Sequence, residues 1–279
     1  MLTNTSGIPP HLTKAELERY ARDGFLVRTA VFTNSELPVL QEAVESAAQR
    51  ALCLADEGKT YWLDNKRFVD IDSVINTMTV QFEHTPTSNT IRVIEPVHHL
   101  HPILEQLIDE KRITGPIRDI LGCTRISVWT NKLNLKRPYE GSGFGWHQDS
   151  PYWIHNSPHV DLLPNVMVTL DDASIDNGCF QVIRGSHKNG LLPGTDDGSQ
   201  LGGFFTDPAC FDLACAVPMQ VPAGSLVFFS PHSVHGSGPN QSPESRRALV
   251  LTYQPADFPM LKTGTIRNVP EIAMNAIGE

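Results

Sequence analysis

The sequence predicts a mainly β domain with flanking helices, and two observations carry that prediction. From about Arg125 onward, short β-branched or aromatic runs are separated by Gly, Pro and Asn, the pattern of antiparallel strands in a jelly roll. Before that point apolar residues recur mostly at helical spacing. In chain order, Thr13 and Glu16 have capping-box spacing and open a short helix, which Gly24 ends before the strand-like Phe25-Leu26-Val27. A second helix is expected from near Ser35 toward Glu57, with Leu37, Leu40, Val44, Ala48 and Ala51 on one face and Gly58 as its stop. A third begins after Pro102 and carries Leu104, Leu107, Ile108, Ile117, Ile120 and Leu121, with an interruption or restart near Pro116. Residues 59–95 show no sustained period and are expected to be irregular chain covering the barrel mouth. The clearest strands are 126–130, 166–170, 180–183, 226–229 and 248–253, with a turn at 222–225. No repeat or low-complexity linker interrupts the chain. One domain over 1–279 is therefore expected, with a helical N-terminal part at about 13–122 and a jelly-roll core at about 123–255.

Composition narrows the classes of function. A chain of 279 residues, 40% hydrophobic and 19% charged, can bury a full core. The formal charge of −9 and the lack of clustered Lys and Arg argue against nucleic acid as a partner. No apolar run reaches membrane-spanning length, and the start lacks a basic stretch followed by an apolar one, so a cytoplasmic protein is expected. The five cysteines are scattered without CxxC spacing, which indicates neither a disulfide framework nor a zinc knuckle.

Trp146-His147-Gln148-Asp149 contains the most informative spacing. In an extended strand residues i and i+2 project to one side, so His147 and Asp149 can reach the same ion. With the distant His235 they compose the two-histidine, one-carboxylate set that binds non-haem Fe(II) and leaves roughly three coordination positions open. After His235 come a turn and the apolar run from Ala248 to Tyr253, placing Arg246 on a face with Ala248, Val250 and Thr252. If that face lines a barrel interior, the buried guanidinium requires an anion, which the distal carboxylate of 2-oxoglutarate supplies. Arg247 is expected on the opposite face.

These residues carry a resemblance. His147-x-Asp149, His235-x-Ser237-x-x-Asn240, Arg246 eleven residues beyond His235, Asn177-Gly178-Cys179-Phe180 leading to Gly185-Ser186-His187, and the N-terminal segment from Tyr20 to Val27 resemble the phytanoyl-CoA dioxygenase family. The resemblance implies a double-stranded β-helix (jelly-roll, cupin-like) enzyme that uses Fe(II), O2 and 2-oxoglutarate to oxidise a C–H bond of a small-molecule substrate, releasing succinate and CO2. It also implies co-substrate contacts for Asn134 and Ser237 beside Arg246, and a basic residue aimed at the pocket at Arg92. Tyr152 and Trp153 add aromatic surface for a substrate. Because Asp149 is a carboxylate rather than a small residue, halogenation is disfavoured.

Blander readings compete. The chain has eleven histidines. His98, His99 and His101 precede a helix start and are better explained by capping and solvent than by a second metal. His155 and His159 lie in a polar loop, His187 braces a turn, and His232 is an odd number of residues from His235. A jelly roll that binds metal or ligand without turnover, and a zinc hydrolase, are the alternatives from other classes. Arg246 argues against the second, because zinc-bound water needs no dicarboxylate anchor.

Overall fold

A computed structural model describes residues 7–73, 76–85 and 87–271. The first helix, α1 (Lys14–Asp23), is bounded as its ends demand. Thr13 and Glu16 close a reciprocal capping box, and Gly24 takes the left-handed conformation at the C-cap (φ 83°). After β1 (Phe25–Arg28), α2 (Leu37–Ala55) buries Leu40, Ala43, Val44, Ala47 and Ala51 along one stripe. The chain then forms β2 (Lys59–Leu63), β3 (Lys66–Asp72), β4 (Thr77–Phe82) and β5 (Ile91–Glu95) before α3 (Pro102–Leu107) and α4 (Lys111–Leu121).

Two expectations are corrected here. Residues 59–95 are not irregular, and the N-terminal part is not helical throughout, because β2 to β5 form a meander that widens the main sheet. β4 does carry a strict two-residue period, with Met78, Val80 and Phe82 on the side packed in the apolar core and Thr77, Thr79 and Gln81 on the other. β2 and β3 are mixed in polarity, and a register shift between Gln81 and Phe82 offsets the pairing of β4 with β5. The break in the third helical segment lies at 108–110, not at Pro116. Glu110 caps α4 by accepting from the backbone N–H of Arg112 (3.1 Å), and Pro116 sits inside the helix, which forgoes one ladder bond there.

The second half contributes β6 (Ile126–Lys136), β7 (Phe144–His147), the single turn α5 (Ser150–Trp153), β8 (Asn165–Thr169) and β9 (Phe180–Ile183). It ends with β10 (Ala216–Pro218), β11 (Leu226–Phe229), β12 (His235–Ser237) and β13 (Arg246–Pro255). Nine strands make one antiparallel sheet in the order β1-β11-β8-β13-β6-β5-β4-β3-β2, and four make the other, β10-β9-β12-β7. The two sheets form the double-stranded β-helix. One core layer joins the outer face of the large sheet to the helices through residues such as Leu40, Leu104, Ile113, Leu133 and Leu251. A second fills the space between the sheets with Phe25, Met167, Phe180, Val182, Val227, Phe229 and Val250. Alternation along each strand assigns residues to one layer or the other. Polar side chains occupy the part of the inter-sheet space that the second layer leaves open.

Candidate metal centre

β7 and β12 are neighbours in the small sheet, and their register sets His147 directly opposite His235. The imidazole centroids lie 4.1 Å apart. Asp149 completes the group by a route the strand argument did not foresee. β7 ends at His147, and Asp149 stands at the N-cap of α5 with helical backbone angles (φ −79°, ψ −30°). Its position comes from tertiary contact, since the N–H groups of Asp149 and Ser150 both donate to the Pro231 carbonyl (3.1 Å each). One donor atom from each of His147, Asp149 and His235 lies within 4.8 Å of the other two. No other such group of His, Cys, Asp or Glu occurs among the described residues.

The surroundings prepare these atoms for a cation. Nδ1 of His147 lies 2.7 Å from the Gly145 carbonyl, and Nδ1 of His235 lies 2.9 Å from that of Ser233. A carbonyl only accepts, so each Nδ1 carries the proton and each Nε2 offers a lone pair. Burial, reinforced by His235, pushes the His147 pKa down to about 3, and burial also lowers His235, so both rings stay neutral. Burial acts to raise the Asp149 pKa, but Lys132, the two imidazoles and a hydrogen bond from Asn165 together hold it below the usual carboxylate range. The Asn165 amide donates to Asp149 Oδ2 (3.0 Å) and accepts from the Thr252 hydroxyl (2.6 Å), which fixes the carboxylate's orientation. Gln148 turns the other way and is fully buried. Its amide donates to the Gly190 and His232 carbonyls and accepts from the Leu192 N–H, tying the motif to the start of the 190–215 segment.

A cationic end lies farther along the inner face. Arg246 on β13 is 4% exposed, and its Nε is a buried donor without an acceptor. Burial lowers its pKa to about 10. Directly across the ladder, Lys136 is 1% exposed. It donates to the Ser237 hydroxyl (2.8 Å) and to the Gly238 carbonyl. Burial, then the charges of Arg246 and Arg92, bring its pKa down to about 6. Asn134 is half-buried on the same strand face. Arg92 stacks on Phe144 (3.6 Å to the centroid) and donates to the Ser142 hydroxyl (2.9 Å) and the Gly143 carbonyl (2.7 Å). Arg247 faces the opposite layer, where Asp171 and Glu45 pair with it.

Aromatic groups and a strap roof the site. Trp153 is buried beneath the Lys132 ammonium (5.4 Å to the ring centroid), and Tyr152 stacks on Phe204 (4.4 Å, 11° between planes). The 190–215 segment is ordered chain with three short 3-10 turns, and it bridges His147 through Phe205. Gly145 is needed beneath it, because an added Cβ would lie 2.9 Å from the Phe205 ring. The remaining histidines stay apart from the centre: His101 caps α3, His98 contacts Asn131, and His232 pairs with Asp161. Lys132, Asn165, Phe204 and Phe205 escaped the sequence reading, as did the depth of Lys136, whereas Phe144 belongs to the aromatic surface expected around the ligand motif. Alternation from Asn134 could have flagged the two lysines. Asn165 has no local signal.

Two neutral imidazoles and an ionised carboxylate suit a divalent ion that also needs open positions, and the partnerless buried guanidinium suits a dicarboxylate. The donor set thus fits Fe(II) and 2-oxoglutarate. Residues 20–248 match the family described as Phytanoyl-CoA dioxygenase (PhyH), and the chain belongs to that family. It is a 2-oxoglutarate-dependent non-haem iron dioxygenase. Ectoine dioxygenase of Bordetella bronchiseptica is 28% identical over 261 residues, covering 87% of this chain and 75% of the relative. L-proline trans-4-hydroxylase of Streptomyces griseoviridis is 24% identical over 254 residues, covering 84% of each. EctD from S. alaskensis, solved with 2-oxoglutarate and 5-hydroxyectoine, superposes with a TM-score of 0.64 at 22% identity, over 90% of this chain and 78% of that one.

Proposed function

We propose that His147, Asp149 and His235 hold the iron, that Arg246 with Lys136 and Ser237 binds the distal carboxylate of 2-oxoglutarate, and that Asn134 lies along the co-substrate between the two ends. The reaction is hydroxylation of an unactivated C–H bond in a small molecule. Bound Fe(II) supplies the oxidation of that bond by O2, coupled to conversion of 2-oxoglutarate into succinate and CO2. The protein's own residues do the rest. The Gly145 and Ser233 carbonyls keep both Nε2 atoms aimed inward, and Asn165 holds Asp149. Arg246 gains its missing acceptor when the carboxylate arrives. Phe204 on Tyr152, with Trp153 below, keeps water from the reacting bond.

The observation that carries this reading is the convergence of three donor atoms within 4.8 Å and, farther along the inner face, a buried guanidinium that no described group neutralises. A single domain is part of the proposal, supported by one core layer that runs from Leu26 to Val269. So is a small-molecule substrate, since two relatives are named for ectoine and L-proline. The acidic balance favours no nucleic-acid partner. Five unpaired cysteines fit a reducing, cytoplasmic location. No described helix is long and apolar enough to cross a membrane. The test is anaerobic addition of Fe(II) and 2-oxoglutarate, which should produce the visible charge-transfer band of a chelated keto acid, followed by succinate on admitting O2. Protein that gives neither overturns the reading.

A further inference from the structure

The inner face of the large sheet carries charges that the co-substrate leaves unused. By alternation and register, β6 presents Thr130, Lys132, Asn134 and Lys136 on this face, and β5 adds Glu95, which lies across the ladder from Thr79. Lys132 Nζ lies 3.9 Å from Asp149 Oδ1, and none of its N–H groups has an acceptor within hydrogen-bond distance among the described residues. Glu95 accepts from the Thr130 hydroxyl through one oxygen (2.7 Å), and its other oxygen accepts nothing among the described residues. Lys132 and Glu95 lie on neighbouring strands, yet no Glu95 oxygen pairs directly with the ammonium among the described residues. Beyond Glu95 the face remains polar. Thr79 donates to Asp70 (2.6 Å) and accepts from Lys262 (2.9 Å).

Metal binding changes this balance. Asp149 is the nearest anion to Lys132, and a carboxylate that ligates a divalent ion has its charge absorbed by that ion. The half-buried ammonium then keeps only Glu95, which does not pair with it directly, and its N–H groups still lack the acceptor that a new oxyanion would supply. Continuing the register of Val93 with Asn134 and Ile94 with Leu133 sets Glu95 opposite Lys132 on the neighbouring strand, so its vacant acceptor and the ammonium can face one small molecule. Resting on the iron and 2-oxoglutarate reading above, we propose that the substrate is a small zwitterion of the amino-acid class. Its oxyanion binds Lys132 and its basic nitrogen donates to Glu95.

The experiment uses the full chain loaded anaerobically with Fe(II) and 2-oxoglutarate, and it follows the charge-transfer band as probes are added. The probes are the protein amino acids, the methyl esters and N-acetyl derivatives of those that respond, and palmitoyl-CoA. At least one free amino acid should shift the band and stimulate succinate formation, and esterification or acetylation should each weaken binding by about tenfold or more. In Lys132→Met the acid and its ester should bind equally weakly. In Glu95→Gln the amine and its N-acetyl derivative should do so. The band in each variant before probe addition reports that its fold and metal site are intact, and a variant that lacks it is replaced by Lys132→Gln or Glu95→Ala, read in the same way. The proposal is overturned if no zwitterion shifts the band, if palmitoyl-CoA does so instead, or if the variants keep the wild-type discrimination. A Lys132 variant that weakens 2-oxoglutarate alone overturns it too. Absence of the band from the wild type would sink the iron reading itself, a separate failure.

Discussion

Replacing Arg246 with methionine should move co-substrate affinity and protein stability in different directions. Arg246 is buried without an ion pair, so the protein bears the cost of an uncompensated cation until a carboxylate enters. Methionine keeps much of the apolar stem and removes that charge. Truncating one partner of a buried charge pair costs about 2–5 kcal/mol of binding. At about 1.4 kcal/mol per tenfold, 2-oxoglutarate should bind roughly 30-fold to several thousandfold more weakly. Thermal stability without co-substrate should hold or rise, by about 2 °C for each kcal/mol of relieved desolvation. The assay pairs a 2-oxoglutarate titration, followed by the charge-transfer band, with thermal melts at zero and saturating 2-oxoglutarate. Wild type should gain a ligand-dependent rise in Tm that Arg246→Met lacks. An unchanged affinity, or a melting point that collapses as it would for an ordinary structural arginine, would refute the reasoning.

Asp149→Ala should abolish iron binding and turnover together, measured by metal content after desalting and by succinate formation; a variant that still turns over would remove Asp149 from the ligand set. Asn165→Ala leaves all three ligands in place but frees the Asp149 carboxylate to rotate, so Fe(II) affinity should fall by roughly 10- to 100-fold in a metal titration. Lys136 supplies the pH prediction. Burial and its cationic neighbours hold its pKa at about 6, so it is largely neutral at pH 7.5 and should take up a proton when the dicarboxylate binds. Calorimetry of 2-oxoglutarate binding in buffers of different ionisation enthalpy should show net uptake near one proton, absent in Lys136→Met. The unfolded chain holds this proton up to its ordinary pKa of 10.5, so the ligand-free fold should gain stability as pH rises from about 6 toward that value. A Tm that falls over the lower part of that range, before tyrosines and other lysines titrate, would contradict the assignment.

What could be read from the chain and what could not divides along range of interaction. The ends of α1 were legible because Thr13, Glu16 and Gly24 act on backbone groups within four residues. The strands that carry β-branched alternation were legible for the same reason. β2 and β3 were less so, because charged residues such as Lys59, Lys66, Arg67, Asp70 and Asp72 interrupt their apolar positions, whereas β4 alternates from Thr77 to Phe82. Two-residue periodicity grouped Arg246 with Ala248, Val250 and Thr252, but neither the inward direction of that face nor the missing partner of the guanidinium could be read from it. Lys136 reads as an ordinary solvated strand lysine until β12 brings Ser237 against it.

The ligand motif shows the division most sharply. The joint pattern selected His147, Asp149 and His235 among eleven histidines: the 147/149 spacing, a distant histidine at a strand exit and Arg246 eleven residues beyond it. The reason first attached to it, two side chains projecting together from one strand, holds only for His147. Asp149 reaches the site because the chain leaves β7 and turns into α5, with its N–H docked on Pro231 and its carboxylate held by Asn165. Residue type and local period belong to the sequence and determined the chemistry available and the face each strand presents. Which groups meet across the sheets, which charge is left without a partner, and how the strap closes over His147 depend on contacts between residues tens of positions apart. Only the packed fold decides those, because no short-range preference encodes them.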